Sequence, residues 1–262
     1  MKNRIYRHPL AVRITHWVTA LALLVLTMSG LQIFMAHPAL YASDASNFTQ
    51  PLLSIYADND ARGQPAGRLR VGSKTFTTTH VLGWTDDGQG GETDRAFPSW
   101  ATIPFYRDLA DGRRWHILFA WIFGLCALVY AYWALRLIPK KKDISDLPGA
   151  LKRHIVPWRV KAEPIYNPLQ KITYFGVVFV LAPLAILSGL ALSPSVDAWA
   201  PWLPALLGGR QFARVWHFAA MWGLIGFFGL HIMMVSLTGV FNNVWAMITG
   251  WFVVGKAAEK AK

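Results

Sequence analysis

Apolar side chains gather into four long blocks, roughly residues 14–36, 114–138, 168–192 and 212–238, each of about 20 or more mostly apolar positions. A helix of that length crosses a hydrocarbon layer about 30 Å thick. The blocks predict an all-α membrane protein, a four-transmembrane-helix bundle of up-down topology with a long loop between the first two helices. The whole chain, 1–262, reads as one membrane domain, with a loop or cap over 36–112, a basic loop over 139–167 and a tail over 239–262. Within the cap, Arg68–Val81 alternates enough for a short hairpin, and Gly83 to Gly91 is rich in turn residues. Phe97-Pro98-Ser99-Trp100 and Ile103-Pro104-Phe105-Tyr106 read as interface-seated aromatics. Gly239 to Asn243 breaks the last helix, and Trp245–Val254 reads as an amphipathic segment lying on the membrane surface.

Composition agrees with this class. Apolar residues make up 54% of the 262, charged residues only 15%, and there are 13 tryptophans. The net charge of +12 would suggest nucleic acid on a soluble surface, but its placement reports topology instead. The N-terminus, the 139–167 loop with its flanks and the tail carry 16 Lys and Arg against four Asp and Glu; the opposite face carries ten against ten. The positive-inside rule then puts both termini and the 139–167 loop in the cytoplasm, and 36–112 on the opposite face. The apolar run Trp17–Met35 is long for a signal peptide and no A-x-A site follows it, so it reads as a retained span. The single cysteine, Cys126, excludes an intramolecular disulfide, a C-x-x-C-H haem attachment and a thiolate-bound cluster.

Histidine placement carries the chemistry. His217 and His231 lie fourteen residues apart in the fourth block, an advance of about 21 Å that returns to nearly the same helix face. His16 starts the first block and His116 the second. The topology pairs them by depth: His16 with His231 near the cytoplasmic side, and His116 with His217 near the outer side. Each pair can give two axial nitrogens to one haem iron, so the bundle is expected to hold two non-covalent haem b groups. Hydrogen-bonded core histidines of a transporter, or a proton relay, are the other readings of ionisable groups in a membrane. Zinc fits poorly, because two imidazoles fall short of its usual three or four protein ligands. His8, His37, His80 and His154 read as solvated, with His37 and His80 able to line an outer site.

Haem carboxylates need cations or donors near the surface. Arg13 and Lys171 are placed for the inner haem, and Arg113, Arg114, Arg210 and Arg214 for the outer one, although each is equally readable as charge at a helix end. Gly30, fourteen residues after His16, would let a flat macrocycle approach the first helix. A weak internal echo accompanies it: Ser29-Gly30-Leu31 recurs as Ser188-Gly189-Leu190.

Four segments carry a family resemblance: R-I-T-H-W at Arg13–Trp17, D-G-R-R-W-H at Asp111–His116, Y-N-P-L-Q-K at Tyr166–Lys171, and the His217/His231 spacing. The chain resembles the bacterial cytochrome b561 and nickel-iron hydrogenase b-type cytochrome superfamily, which includes the membrane subunits of formate dehydrogenase and thiosulfate reductase. The resemblance implies electron transfer through two b haems between the membrane quinone pool and an oxidoreductase partner. The long first loop is similar to the branch whose partner is a molybdopterin oxidoreductase outside the membrane. Tyr166, Asn167, Gln170 and Lys171 are the candidate quinone site, with Asn167 the leading residue; Asn167-Pro168 is equally readable as a helix start. The alternative function is a stand-alone membrane oxidoreductase of the superoxide or quinone type.

Overall fold

A computed structural model describes residues 4–154 and 167–254. Among them, four helices are long and apolar enough to cross a membrane: Leu10–Phe34, Leu109–Leu137, Pro168–Ala191 and Arg210–Thr249. They begin up to five residues before the apolar blocks, because polar residues such as Arg13 and Arg113 occupy helical turns outside the hydrocarbon-like stretch. The chain forms two compact units, and each long helix gives one stretch to each.

The first unit comprises Met1–Thr19, Leu125–Pro183 and Trp222–Lys262. It holds the start of α1 (Leu10–Phe34) and the end of α2 (Leu109–Ala134). Two short helices follow, α3 (Lys141–Ser145) and α4 (Leu147–His154), where the sequence suggested only a basic loop. Helix α5 (Pro168–Gly176) opens with Pro168 at its first position and Asn167 as its cap. Asn167 Oδ1 accepts from the Gln170 amide at 2.9 Å, and Gln170 Oε1 accepts from the Asn167 amide at 3.2 Å, a reciprocal capping box. The helix then widens into a π-helical turn at Val177–Leu181 and continues as α6 (Ala182–Ala191).

Helix α9 (Arg210–Thr249) kinks at Gly239, whose φ of 104° belongs to a region that side chains rarely enter. The break therefore falls where the sequence placed it, and the chain beyond divides into two elements. The helix resumes to Thr249, and Trp251–Val253 forms a strand, β8, antiparallel to β1 (Arg4–Tyr6) with Ile5 opposite Phe252. Asn242 holds this strand by both amide atoms: Nδ2 donates to the Val253 carbonyl and Oδ1 accepts from the Val253 amide.

The second unit comprises Ala20–Gly124 and Leu184–Met221. Its extramembrane part is a small β structure. Strands β2 (Ala39–Leu40), β3 (Leu53–Asn59), β4 (Pro65–Val71) and β5 (Lys74–Thr77) make an antiparallel sheet in that order, and β6 (Trp84–Asp86) pairs with β7 (Glu92–Asp94). The hairpin read from Arg68–Val81 corresponds to β4 and β5, while β3 pairs with β4 from Leu53↔Val71 to Asn59↔Pro65. Met35, Ile55, Ala96 and Phe97 form the buried core between this sheet and the end of α1. Phe97 is thus a core residue rather than an interface aromatic, whereas Trp100, Phe105 and Tyr106 are exposed. Arg95 is buried and satisfied without a carboxylate: it donates to the Phe97 and Phe105 carbonyls, both at 2.9 Å, and to Thr102 Oγ1 at 2.7 Å. The Pro- and Trp-rich connection after α6 is helical as well, α7 (Pro194–Trp199) and α8 (Trp202–Leu206).

Candidate functional site

In the second unit, Gln32 fixes the entry of α2. Its buried side chain donates to the carbonyls of Tyr106 at 2.9 Å and Asp108 at 3.0 Å, immediately before the helix begins. About two helical turns further on, His116 faces His217 of α9, with ring centroids 6.0 Å apart and planes at 71°. In the first unit, His16 of α1 faces His231 of α9 at 6.1 Å and 53°. The structure thus places the four histidines in the two pairs read from the sequence, each pair inside one unit.

The two pairs are supported differently. Ser29 Oγ lies 3.1 Å from His116 Nδ1, and Ser188 Oγ lies 3.1 Å from His217 Nδ1. Both serines are fully buried, and both donate their hydroxyl proton to the carbonyl four residues back, Val25 at 2.6 Å and Leu184 at 2.5 Å. His217 Nδ1 also meets the Ala185 carbonyl at 3.0 Å. A Cβ on Gly30 would stand 3.3 Å from the His116 ring, and one on Gly189 would stand 3.0 Å from the His217 ring. Gly30 therefore makes room for an imidazole, where the sequence suggested direct approach of a macrocycle. His16 has no comparable partner: its Nδ1 is buried without a hydrogen bond. Trp17 contacts the His16 ring edge-on at 5.1 Å and Phe227 stacks on His231 at 5.7 Å.

The expected anion-binding cations separate into distinct environments. Arg13 Nη1 donates to the Ile248 carbonyl near the end of α9. Arg114 is exposed and paired with Asp111 at 2.8 Å; Arg210 is paired with Asp197 at 3.4 Å. Arg113 is exposed. Arg214 differs, because it is half-buried, three residues before His217, and its recorded partners are neutral: the His37 carbonyl at 2.9 Å and Gln211 Oε1 at 3.2 Å. His37 is not simply solvated: its Nε2 is 2.9 Å from the hydroxyl of buried Tyr41, and burial followed by the Arg214 charge holds its pKa below the usual value. His80 meets Glu92 at 2.5 Å.

Of the candidate quinone residues, Tyr166 lies outside the described residues. Asn167 and Gln170 are engaged in the capping box of α5. Lys171 is engaged with Asp143, its Nζ 2.9 Å from Asp143 Oδ1 in a largely buried pair. Asp143 also accepts from the Lys140 amide at 2.9 Å; the Lys171 hydrogen bond, then that backbone bond, hold its carboxyl below the usual carboxylate range. Sequence reasoning missed Ser29, Ser188 and Gly189 as histidine supports and Gln32 as the seat of α2. The Ser-Gly-Leu echo was the available signal for the first three.

The sequence model of the prokaryotic cytochrome b561 family matches residues 7–250. The chain belongs to the prokaryotic cytochrome b561 family. It is a multi-pass membrane b-type cytochrome of electron transport, and membership implies haem b. The chain is 28% identical over 261 residues to the "Putative protein-methionine-sulfoxide reductase subunit YedZ1" of Azospira oryzae, covering 95% of this chain and 100% of that protein. It is 21% identical over 268 residues to the "Probable Ni/Fe-hydrogenase B-type cytochrome subunit" of Cupriavidus necator, covering 94% of this chain and 86% of that protein. No solved structure matches the chain.

The residues present suit haem. Among the described residues, no three His, Cys, Asp or Glu side chains are grouped as a metal-ion site. The available donors are two imidazole pairs, the axial complement of a macrocycle that supplies its own four nitrogens. In both pairs the ring centroids stand 6.0–6.1 Å apart, and His16 with His231 and His116 with His217 would hold the iron.

Proposed function

We propose that this cytochrome holds two bis-histidine haems and passes electrons between the quinone pool and a periplasmic oxidoreductase partner. The observation that carries the reading is the use of α9 by both histidine pairs, His217 in one unit and His231 in the other, each answered by a histidine of a different helix. When bound, haem supplies one-electron exchange between ferric and ferrous iron. The protein's part is to hold four imidazoles in place, exclude water from them and set their donor strength. His16 and His231 serve the haem nearer the cytoplasm, and His116 and His217 the haem nearer the periplasm.

The positive-inside rule orients the chain in a bacterial inner membrane with both termini cytoplasmic and the β cap periplasmic. Arg214 is the leading anchor for a haem carboxylate, because a half-buried cation with neutral partners gains most from a bound anion. Quinone is assigned to the start of α5, at Asn167 and Gln170; the π turn at Val177–Leu181, a feature frequent at functional sites, follows about two turns further along the same helix. The partner docks over the cap, on the exposed Trp100, Phe105 and Tyr106. The names of both relatives describe subunits, of a protein-methionine-sulfoxide reductase and of a hydrogenase, and so favour a cytochrome that works with an oxidoreductase; the long first loop's resemblance points to one of the molybdopterin class.

The decisive experiment is haem quantitation on the purified protein with its visible spectrum in both oxidation states. Two low-spin b haems per chain are expected, with His217→Ala and His231→Ala each losing one. One haem per chain, or two in both variants, would refute the assignment.

A further inference from the structure

The two Ser-Gly pairs do the same thing at two places. In each, the serine hydroxyl donates to the carbonyl four residues earlier, and the glycine leaves space for an imidazole ring whose Nδ1 reaches the serine oxygen at 3.1 Å. The proton positions follow. Because each hydroxyl proton is already committed to Val25 or Leu184, the oxygen can only accept from the ring. The Ala185 carbonyl beside His217, three residues before Ser188, can likewise only accept. Nδ1 therefore carries the proton in both rings, and Nε2 presents its lone pair.

An imidazole N–H that is donated into a hydrogen bond makes the other ring nitrogen a stronger donor. Ferric iron carries one more positive charge than ferrous and gains more from that donation. At the other pair, His16 Nδ1 is buried with no acceptor. Resting on the di-haem reading above, we infer that Ser29 and Ser188 are positioning residues that fix the coordinating tautomer of His116 and His217 and lower the reduction potential of the haem between them. The haem at His16 and His231 lacks this support on the His16 side, so a duplicated serine–glycine device makes two chemically identical haems unequal.

The test is an optical redox titration of the full-length protein, with the electron paramagnetic resonance signal of each ferric haem recorded alongside. Ser29→Ala should raise the potential of one haem by about three- to tenfold in its one-electron equilibrium, tenfold corresponding to about 59 mV. That haem should be the one His217→Ala removes, and the other haem should not move. Ser188→Ala should shift the same haem. Ser29→Thr and Ser188→Thr keep a hydroxyl and should return the potential towards that of the unmodified protein. If an alanine variant loses the haem, recovery of haem content in the threonine variant supports the hydroxyl's role, and loss in both overturns it in favour of packing alone. Unchanged potentials and signals in both alanine variants, or a shift confined to the other haem, overturn the inference. An unmodified protein without two haems would instead defeat the reading on which it rests.

Discussion

Gln32 of α1 and Gly112 of α2 meet so closely that a Cβ on Gly112 would stand 2.6 Å from Gln32 Cγ. Gln32 cannot readily move aside, because its amide is held by the Tyr106 and Asp108 carbonyls and the residue is buried. Gly112→Ala is expected to cost about 1–3 kcal/mol by overpacking. It should lower the melting temperature in detergent and loosen the haem proposed at His116, four residues along the same helix. Gly124→Ala is the control, since a Cβ there meets nothing within 4 Å.

Arg214 and Arg114 should behave oppositely. On its proposed role as the anchor of a haem carboxylate, Arg214→Gln removes a half-buried cation three residues before His217, and loss of a charge-assisted hydrogen bond, worth about 1.5–3 kcal/mol, should speed haem release from the proposed His116–His217 site about tenfold or more. Arg114→Gln removes an exposed charge already paired with Asp111 and should leave haem retention unchanged. Haem transfer to apomyoglobin measures both.

The Asp143–Lys171 pair gives an acid-dependent contribution to stability. Its carboxyl pKa is depressed in the folded protein, so the contact stabilises above the unfolded carboxylate value of about 3.9 and is lost as pH falls through the folded value. The melting-temperature difference between the unmodified protein and Asp143→Asn should therefore be constant from about pH 5 to 8 and shrink in stronger acid. A difference that grew on acidification would contradict the ion pair.

Asn167 can be tested for quinone binding apart from its cap. Asn167→Ser keeps an N-cap acceptor, whereas Asn167→Leu loses it, at about 1 kcal/mol. A quinone contact through the amide predicts slower haem reduction by quinol in both variants, with stability lowered only in the leucine one. A normal rate in Asn167→Ser would leave Asn167 with the capping role alone.

Much of this protein is legible along the chain because a bilayer imposes a local rule. A span needs about 20 apolar residues in a row, so the four helices appear as blocks, and Gly239 announces its own kink. The histidine pairing also follows from helical rise and span order, since His217 and His231 share one helix face. Charges distribute by a local rule as well, which is why Arg114 and Arg210 lie at helix ends.

Tertiary structure alone decided which groups answer which. Strands as short as β6 and β7 carry too few alternating positions to register, so the cap reads as a loop with one hairpin. Lys171 meets Asp143 from 28 residues away, and β1 pairs with β8 from opposite ends of the chain, contacts that no local pattern encodes. Ser29 meets His116 and Ser188 meets His217 only because glycine lets two helices approach within the width of an imidazole. The chain displays the Ser-Gly repeat openly, but a hydrogen bond has partners only after the helices have packed, and packing is a property of surfaces brought together from distant parts of the sequence.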